Sequence, residues 1–301
     1  MWLQKCVTMM AVIAALMAGH AATAQEKLKV VATFSILADF VTNVGGDRVE
    51  VHALVGPNGD AHVYQPTPAD AKIVAGAKVV VVNGLGYEGW LERLIRASAT
   101  KLKPVVASEG VKLRRSPGDR AGHSHSQFDP HAWQSVANAK VYVANIRNAL
   151  IAADPAGKAA YEANAAAYLA KLDALDREVR ESVARIPPER RRIITNHDSF
   201  GYFADAYGLE ILAAQGVSTE TQPSAKEIAA LIRQIKARRI GGVFMENITD
   251  PRLIERIAKE TGARIGGVLY SDALTGADGP APTYIDLIRH NIRSLSAALV
   301  G

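Results

Sequence analysis

Four residues of this sequence have the types to hold a metal ion together: His62, His131, His197 and Asp272. They stand 69, 66 and 75 residues apart, about one in each quarter of the chain. Each follows a predicted strand or lies in the loop ahead of a predicted helix. Three imidazoles and one carboxylate are a donor set for first-row divalent metals. Four protein ligands leave little or no open position on a tetrahedral ion, so the set suits capture and hand-over of a metal better than chemistry upon it. Spacing alone leaves two readings open, a shared site or ordinary polar loop residues. His62 lies in the turn-rich run Asn58-Gly59-Asp60-Ala61-His62-Val63-Tyr64-Gln65-Pro66, where a histidine is commonly just exposed. His197 follows the strand Ile193-Ile194-Thr195, and Asp272 follows Val268-Leu269-Tyr270. That is the carboxyl-end position at which open α/β sheets bind ligands.

The other histidines are weaker candidates. His20 sits in the leader, His52 in mid-strand and His290 on the last helix, at the surface. His123 and His125 alternate with serine in a loop and read as auxiliary at most. Glu220 and Glu246 also follow strands; each could orient an imidazole, or serve as a helix cap or surface ion-pair partner. An enzyme is the competing class. The sequence holds no HExxH, CxxC, GxSxG or Walker loop. A zinc hydrolase needs three protein ligands, a water and a base. Asp198 would be the base only if Asp272 did not coordinate.

The elements that must position these residues alternate strand and helix. Leu28 to Thr33, Val49 to Val55, Val79 to Asn83 and Val105 to Ala107 read as strands. Helical patterns cover Ile36 to Val44, Asp70 to Gly76, Leu91 to Ala97 and Val136 to Ala152. Residues 114–127 are rich in Gly, Ser, Arg and His and read as a mobile surface loop. From Ala156 to about Arg185, Tyr161, Ala165, Tyr168, Leu172, Leu175 and Val179 recur at helical spacing, opened by Asp154-Pro155 and stopped by Pro187-Pro188. About 30 residues at 1.5 Å each give a helix roughly 45 Å long, a stiff connector. Strands then recur at Arg192 to Thr195, Glu210 to Ala214, Gly242 to Met245 and Ile265 to Tyr270. Helices fit Ser199 to Tyr207, Ala225 to Arg238, Pro251 to Thr261 and Thr283 to Leu299. Such alternation predicts an α/β fold of parallel sheets flanked by helices. The expected organisation is a signal peptide over 1–24, an N-terminal lobe over 25–153, a connecting helix over 154–186 and a C-terminal lobe over 187–301.

The leader reading rests on Met1 to Lys5 as a positive segment, an apolar run from Val7 to Met17, and an A-x-A site at Ala22-Thr23-Ala24. Export to the periplasm is expected, with Gln25 as the new N-terminus. The one cysteine, Cys6, precedes the apolar run and would be removed, so no disulfide forms and any metal site uses nitrogen and oxygen alone. A formal charge of +5 with only 6% aromatic residues argues against a nucleic-acid partner.

At these residues the chain resembles the zinc- and manganese-binding solute-binding proteins of bacterial ABC importers, the cluster A-I or TroA-like family. The resemblance is carried by Asp60 to Pro68, Asp129-Pro130-His131-Ala132-Trp133, Thr195-Asn196-His197-Asp198-Ser199-Phe200-Gly201, Gly216 to Glu220, Glu260 to Ala263 and Tyr270-Ser271-Asp272-Ala273-Leu274. It implies two Rossmann-like lobes joined by one long rigid helix, with one metal held between them by His62 and His131 from the first lobe and His197 and Asp272 from the second. Family members with a carboxylate in place of His197 are typically manganese binders. The resemblance and three imidazoles together point to Zn²⁺ as the transported ligand, with Mn²⁺ or both metals as the alternative. The stretch before His131 is short beside the His-rich loops of many zinc importers, and Gln65 stands where the family usually has glutamate. The expected partners are an ABC permease and a periplasmic metallochaperone, with the chain itself a monomer. Small lobe motion and weaker binding at low pH are also expected, because imidazoles coordinate only when neutral.

Overall fold

In the computed structural model, which describes residues 26–116, 127–240 and 242–300, two four-stranded sheets face each other. The first lobe contains β1 (Leu28–Phe34), α1 (Ser35–Gly45), β2 (Val49–Val55), α2 (Pro68–Gly76), β3 (Val79–Val82), α3 (Leu91–Ser98), β4 (Val105–Val106) and α4 (Val136–Ala153). A turn at Pro155–Gly157 leads into α5 (Lys158–Ala184). The second lobe contains β5 (Arg192–Thr195), α6 (Gly201–Tyr207), β6 (Glu210–Ala213), α7 (Ala225–Arg238), β7 (Gly242–Glu246), α8 (Arg252–Thr261), β8 (Arg264–Leu269) and α9 (Tyr284–Leu299). All strand pairs are parallel, in the orders β2-β1-β3-β4 and β6-β5-β7-β8. The two lobes therefore repeat one topology, each with its first strand at the second position of the sheet.

Local chemistry explains the elements. The four valines of β3 are all buried, because helices cover both faces of a parallel sheet. Thr67 and Asp70 form a reciprocal capping box at the start of α2, and Ser224 and Glu227 do the same for α7. Along α5 the buried side chains are Tyr161, Ala165, Tyr168, Leu172, Leu175, Val179 and Val183, one stripe at helical spacing. That stripe packs on α1 and α4 of the first lobe and on α9 of the second. The stiff connector is thus cemented to both lobes along its length. Phe40 is the centre of the joint, with ring centroids 4.8 Å from Tyr284, 6.1 Å from Tyr142 and 6.2 Å from Tyr168.

Several expectations are corrected. The ends of the 114–127 segment are clasped: Ser116 N donates to Gln127 O at 3.1 Å and Asp129 N to Arg114 O at 2.9 Å. Arg114 also reaches Asp129 and Asp205. The central part of that segment, including His123 and His125, lies outside the described residues, as does the leader. Asp154 does not cap the turn that follows it; its carboxylate takes Arg48 and the Tyr161 hydroxyl. His52 is exposed, whereas His290 is half-buried and hydrogen-bonded to Val268 O at 3.1 Å. Among the described residues no helix is long and apolar enough to cross a membrane.

Candidate metal centre

The four candidate residues converge where the carboxyl ends of the two sheets meet. His62 lies in the loop after β2, where Asp60 Oδ1 accepts its backbone N–H at 2.9 Å and Trp90 Nε1 donates to Ala61 O at 2.7 Å. His131 precedes a 3₁₀ turn that leads to α4; His197 follows β5 and Asp272 follows β8. One ligand atom from each lies within 4.8 Å of all the others, and all four residues are buried.

Asp272 Oδ2 is the hub. It lies 3.2 Å from His62 Nε2, 3.2 Å from His197 Nε2 and 3.6 Å from His131 Nε2. The Nε2 atoms of His62 and His131 are 3.3 Å apart. Tetrahedral zinc with bonds of about 2.0–2.1 Å has ligand–ligand edges of roughly 3.3 Å. Those four spacings are close to such edges, and the remaining pairs lie within 4.8 Å.

Two imidazoles are backed by carboxylates. Asp129 Oδ1 sits 2.8 Å from His131 Nδ1 and also accepts the His131 backbone N–H, while its other oxygen takes Arg114 Nη1 at 3.0 Å. Glu246 Oε2 lies 2.7 Å from His197 Nδ1, and Glu246 Oε1 accepts the His197 backbone N–H at 2.8 Å. Both carboxylates stand on the Nδ1 side and leave Nε2 toward the centre. The hydrogen bond from His131 Nδ1 to Asp129 fixes the tautomer a metal needs, whereas His197 Nδ1 is close to Glu246 without hydrogen-bond geometry. Burial opposes a charge on His131, yet the Asp272 and Asp129 carboxylates outweigh it and lift the imidazole to about 9. Burial likewise opposes a charge on His197, and Glu246 and Asp272 push it up regardless. For His62 burial wins and its pKa falls. Burial would raise Asp272, but His131 and His197 hold it well below the usual carboxylate range. The centre is therefore built around one fixed negative charge, for which protons and a metal ion compete.

The lobes are stitched around this point. Trp133 Nε1 and Gln134 Nε2 both donate to Ser271 O, at 3.0 and 2.7 Å, and Leu274 N donates to Ser35 Oγ at 3.0 Å. Asn58 N donates to Leu274 O at 2.8 Å. The loop that carries Asp272 is thus held by the first lobe on both sides.

Glu246, left open between two roles, is the orienting partner of His197. Glu220 is exposed and not one of the four grouped residues, though it lines the same cavity as His62, and its amide is bonded to Ser218 Oγ at 3.2 Å. Asp198 stands outside the cluster, its backbone N–H donated to Gly216 O at 3.1 Å. Gln65 accepts from Arg93 at 3.2 Å on the exterior. The sequence reading gave Asp129 no role of its own, although the Asp-x-His spacing is a legible signal for it.

Residues 30–298 match the family described as zinc-uptake complex component A, periplasmic (ZnuA). The chain belongs to this family. It is 36% identical over 283 residues to the iron-binding protein YfeA of Yersinia pestis, covering 94% of this chain and 90% of that protein. It is 32% identical over 284 residues to the manganese ABC transporter substrate-binding lipoprotein PsaA of Streptococcus anginosus, covering 92% and 91%. Among solved structures, the periplasmic zinc-binding protein TroA from Treponema pallidum superimposes with a TM-score of 0.84 at 31% identity, over 91% of this chain and all of that one. The ZnuA family supplies solute-binding components of transporters, so the chain is not an enzyme and the hydrolase alternative falls. It is a metal-binding solute-binding component of an ABC importer. Its relatives carry names for iron, manganese and zinc, so membership in the family does not by itself choose the metal.

Proposed function

We propose that this chain captures Zn²⁺ through His62 Nε2, His131 Nε2, His197 Nε2 and Asp272 Oδ2 and delivers it to the membrane permease of its importer. The observation that carries this reading is the packing of three imidazole Nε2 atoms within 3.2–3.6 Å of one carboxylate oxygen. Three imidazoles favour zinc over manganese, which prefers oxygen donors. The orienting carboxylates Asp129 and Glu246 support the same assignment, since they raise the basicity of the nitrogens that would bind. One observation favours manganese, or both metals, as a second reading. Asp272 Oδ1 is buried with no hydrogen-bond partner, and a second carboxylate oxygen on the ion would suit a larger coordination number.

The rest of the reading follows from this assignment. Residues 25–153 and 187–301 would act as the two ligand-bearing lobes on a fixed helix, with export by a leader cleaved after Ala24. The chain would work as a monomer, loaded from solution or by a periplasmic metallochaperone. X-ray absorption at the zinc edge of the loaded protein tests the site. Four nitrogen and oxygen neighbours with the outer-shell signature of three imidazoles are expected. A shell with fewer than three imidazoles would overturn the ligand set.

A further inference from the structure

The loop after β3 aims a tyrosine at the centre. Gly84, Leu85 and Gly86 have φ values of 84°, 57° and 80°, three successive left-handed residues of which only Leu85 bears a side chain. Such a conformation is strained at Leu85 and persists only if its surroundings enforce it. Glu88 enforces it. Its buried carboxylate accepts Asn83 N at 2.6 Å, Gly84 N at 3.2 Å and the Thr33 hydroxyl at 2.6 Å. Between the strained turn and that anchor stands Tyr87, only 2% exposed. Its ring meets His62 edge-on at 4.7 Å and His131 at 5.9 Å, and packs on Phe34 and Trp133 at 5.0 Å each. Tyr87 and His62 also form part of the wall of a cavity of about 700 Å³.

Among the buried side-chain atoms of the described residues that lack a hydrogen-bond partner are the Tyr87 hydroxyl, a donor, and Asp272 Oδ1, an acceptor, with His197 Nδ1 and Ser271 Oγ in the same region. Leaving the first two unsatisfied is costly, and a hydrogen bond between them would remove both costs.

We infer that Tyr87 is a positioning and specificity-determining residue: in the loaded protein its hydroxyl donates to Asp272 Oδ1, restricts Asp272 to one metal bond through Oδ2, and so favours four-coordinate zinc over manganese. This inference rests on the four-ligand zinc reading above. The chemistry is direct. A carboxylate oxygen held by a hydrogen bond is a poor second ligand, and zinc accepts four neighbours where manganese seeks more oxygen. Phenylalanine at this position keeps the ring contacts with His62, Phe34 and Trp133 and deletes only the donor.

The test compares the wild-type protein with Tyr87→Phe, both metal-stripped, by chelator competition with Zn²⁺ and Mn²⁺ and by zinc-edge X-ray absorption. Thermal melting of the metal-free proteins reports folding separately. The expected result is an approximately tenfold loss of the preference for zinc over manganese, with zinc coordination rising above four. An unchanged metal preference together with four-coordinate zinc in Tyr87→Phe overturns the inference and leaves the zinc reading standing. Failure of the wild-type protein itself to bind zinc tightly overturns that reading and the inference with it. Should Tyr87→Phe unfold, Tyr87→Trp, whose indole N–H offers a replacement donor on a ring, supplies the second comparison. Zinc preference retained by Trp while lost by Leu at the same position supports the donor role, and equal loss by both contradicts it.

Discussion

Thr219 Oγ1 donates to Asp60 Oδ2 at 2.6 Å, joining a loop of the second lobe to the carboxylate whose other oxygen holds the His62 backbone. The His62 loop is thereby latched from across the cleft. Metal release requires a ligand to leave, and the rigid connector leaves loops as the parts that move. Asp60→Ala should free the His62 loop, speed zinc release and raise the zinc Kd about tenfold. Stopped-flow transfer of zinc to a chelator checks this, and a release rate equal to wild type would count against the latch.

The two carboxylates that follow strands in the second lobe should behave oppositely. Glu246→Gln weakens the hold on His197 Nδ1 and should cost roughly 10–100-fold in zinc affinity. Glu220→Gln, at an exposed position, should leave affinity unchanged. Equal losses from both substitutions would contradict the assignment of Glu246 as the orienting group.

Both lobes contribute to the centre, so zinc should stabilise the whole fold by mass action. At about a thousand times Kd the gain is roughly 4 kcal/mol. Melting curves with saturating zinc and with excess chelator should differ by several degrees, as a single shifted transition. A melting temperature indifferent to zinc would exclude tight binding to the native state.

Asp39 gives a pH dependence remote from the centre. Burial raises its pKa to about 6, against hydrogen bonds from Tyr284 N, Tyr168 and Asn43, with Asp286 adding to the rise. The native state thus binds this proton more tightly than the unfolded chain. The associated stability is fully present below about pH 4 and is lost as pH rises through about 6. At neutral pH the buried charge costs on the order of 2–3 kcal/mol. Asparagine retains an acceptor for Tyr284 N, so Asp39→Asn should gain stability over wild type as pH rises from 4 to 7. Denaturant titrations that gave parallel pH profiles for the two proteins would refute this.

The fold was legible in the sequence because its signals are local and repeated. Continuous valine in β3, the Pro223-Ser224 start of α7 and the apolar stripe of α5 each fix an element without reference to the others. The four converging residues were legible for a similar reason, since His197 and Asp272 directly follow apolar strands and matched a known pattern along the whole chain. What escaped was set by distant contacts. Asp154 looks like a cap until Arg48, from 106 residues away, takes its carboxylate. Glu246 and Glu220 both come at or after a strand, and only the approach of β5 to β7 brings one of them against His197. Tyr87 looks like an ordinary aromatic in a glycine-rich turn, and only the fold brings its ring against His62.

The central claim is tested most directly by chelator-competition titration of the metal-stripped protein with Zn²⁺ and Mn²⁺ in parallel, on wild type and His197→Ala. Tight one-to-one zinc binding, much weaker manganese binding, and loss of the zinc site in the variant are expected. Manganese binding as tight as zinc would contradict the choice of metal, and tight zinc binding that survives His197→Ala would contradict the site.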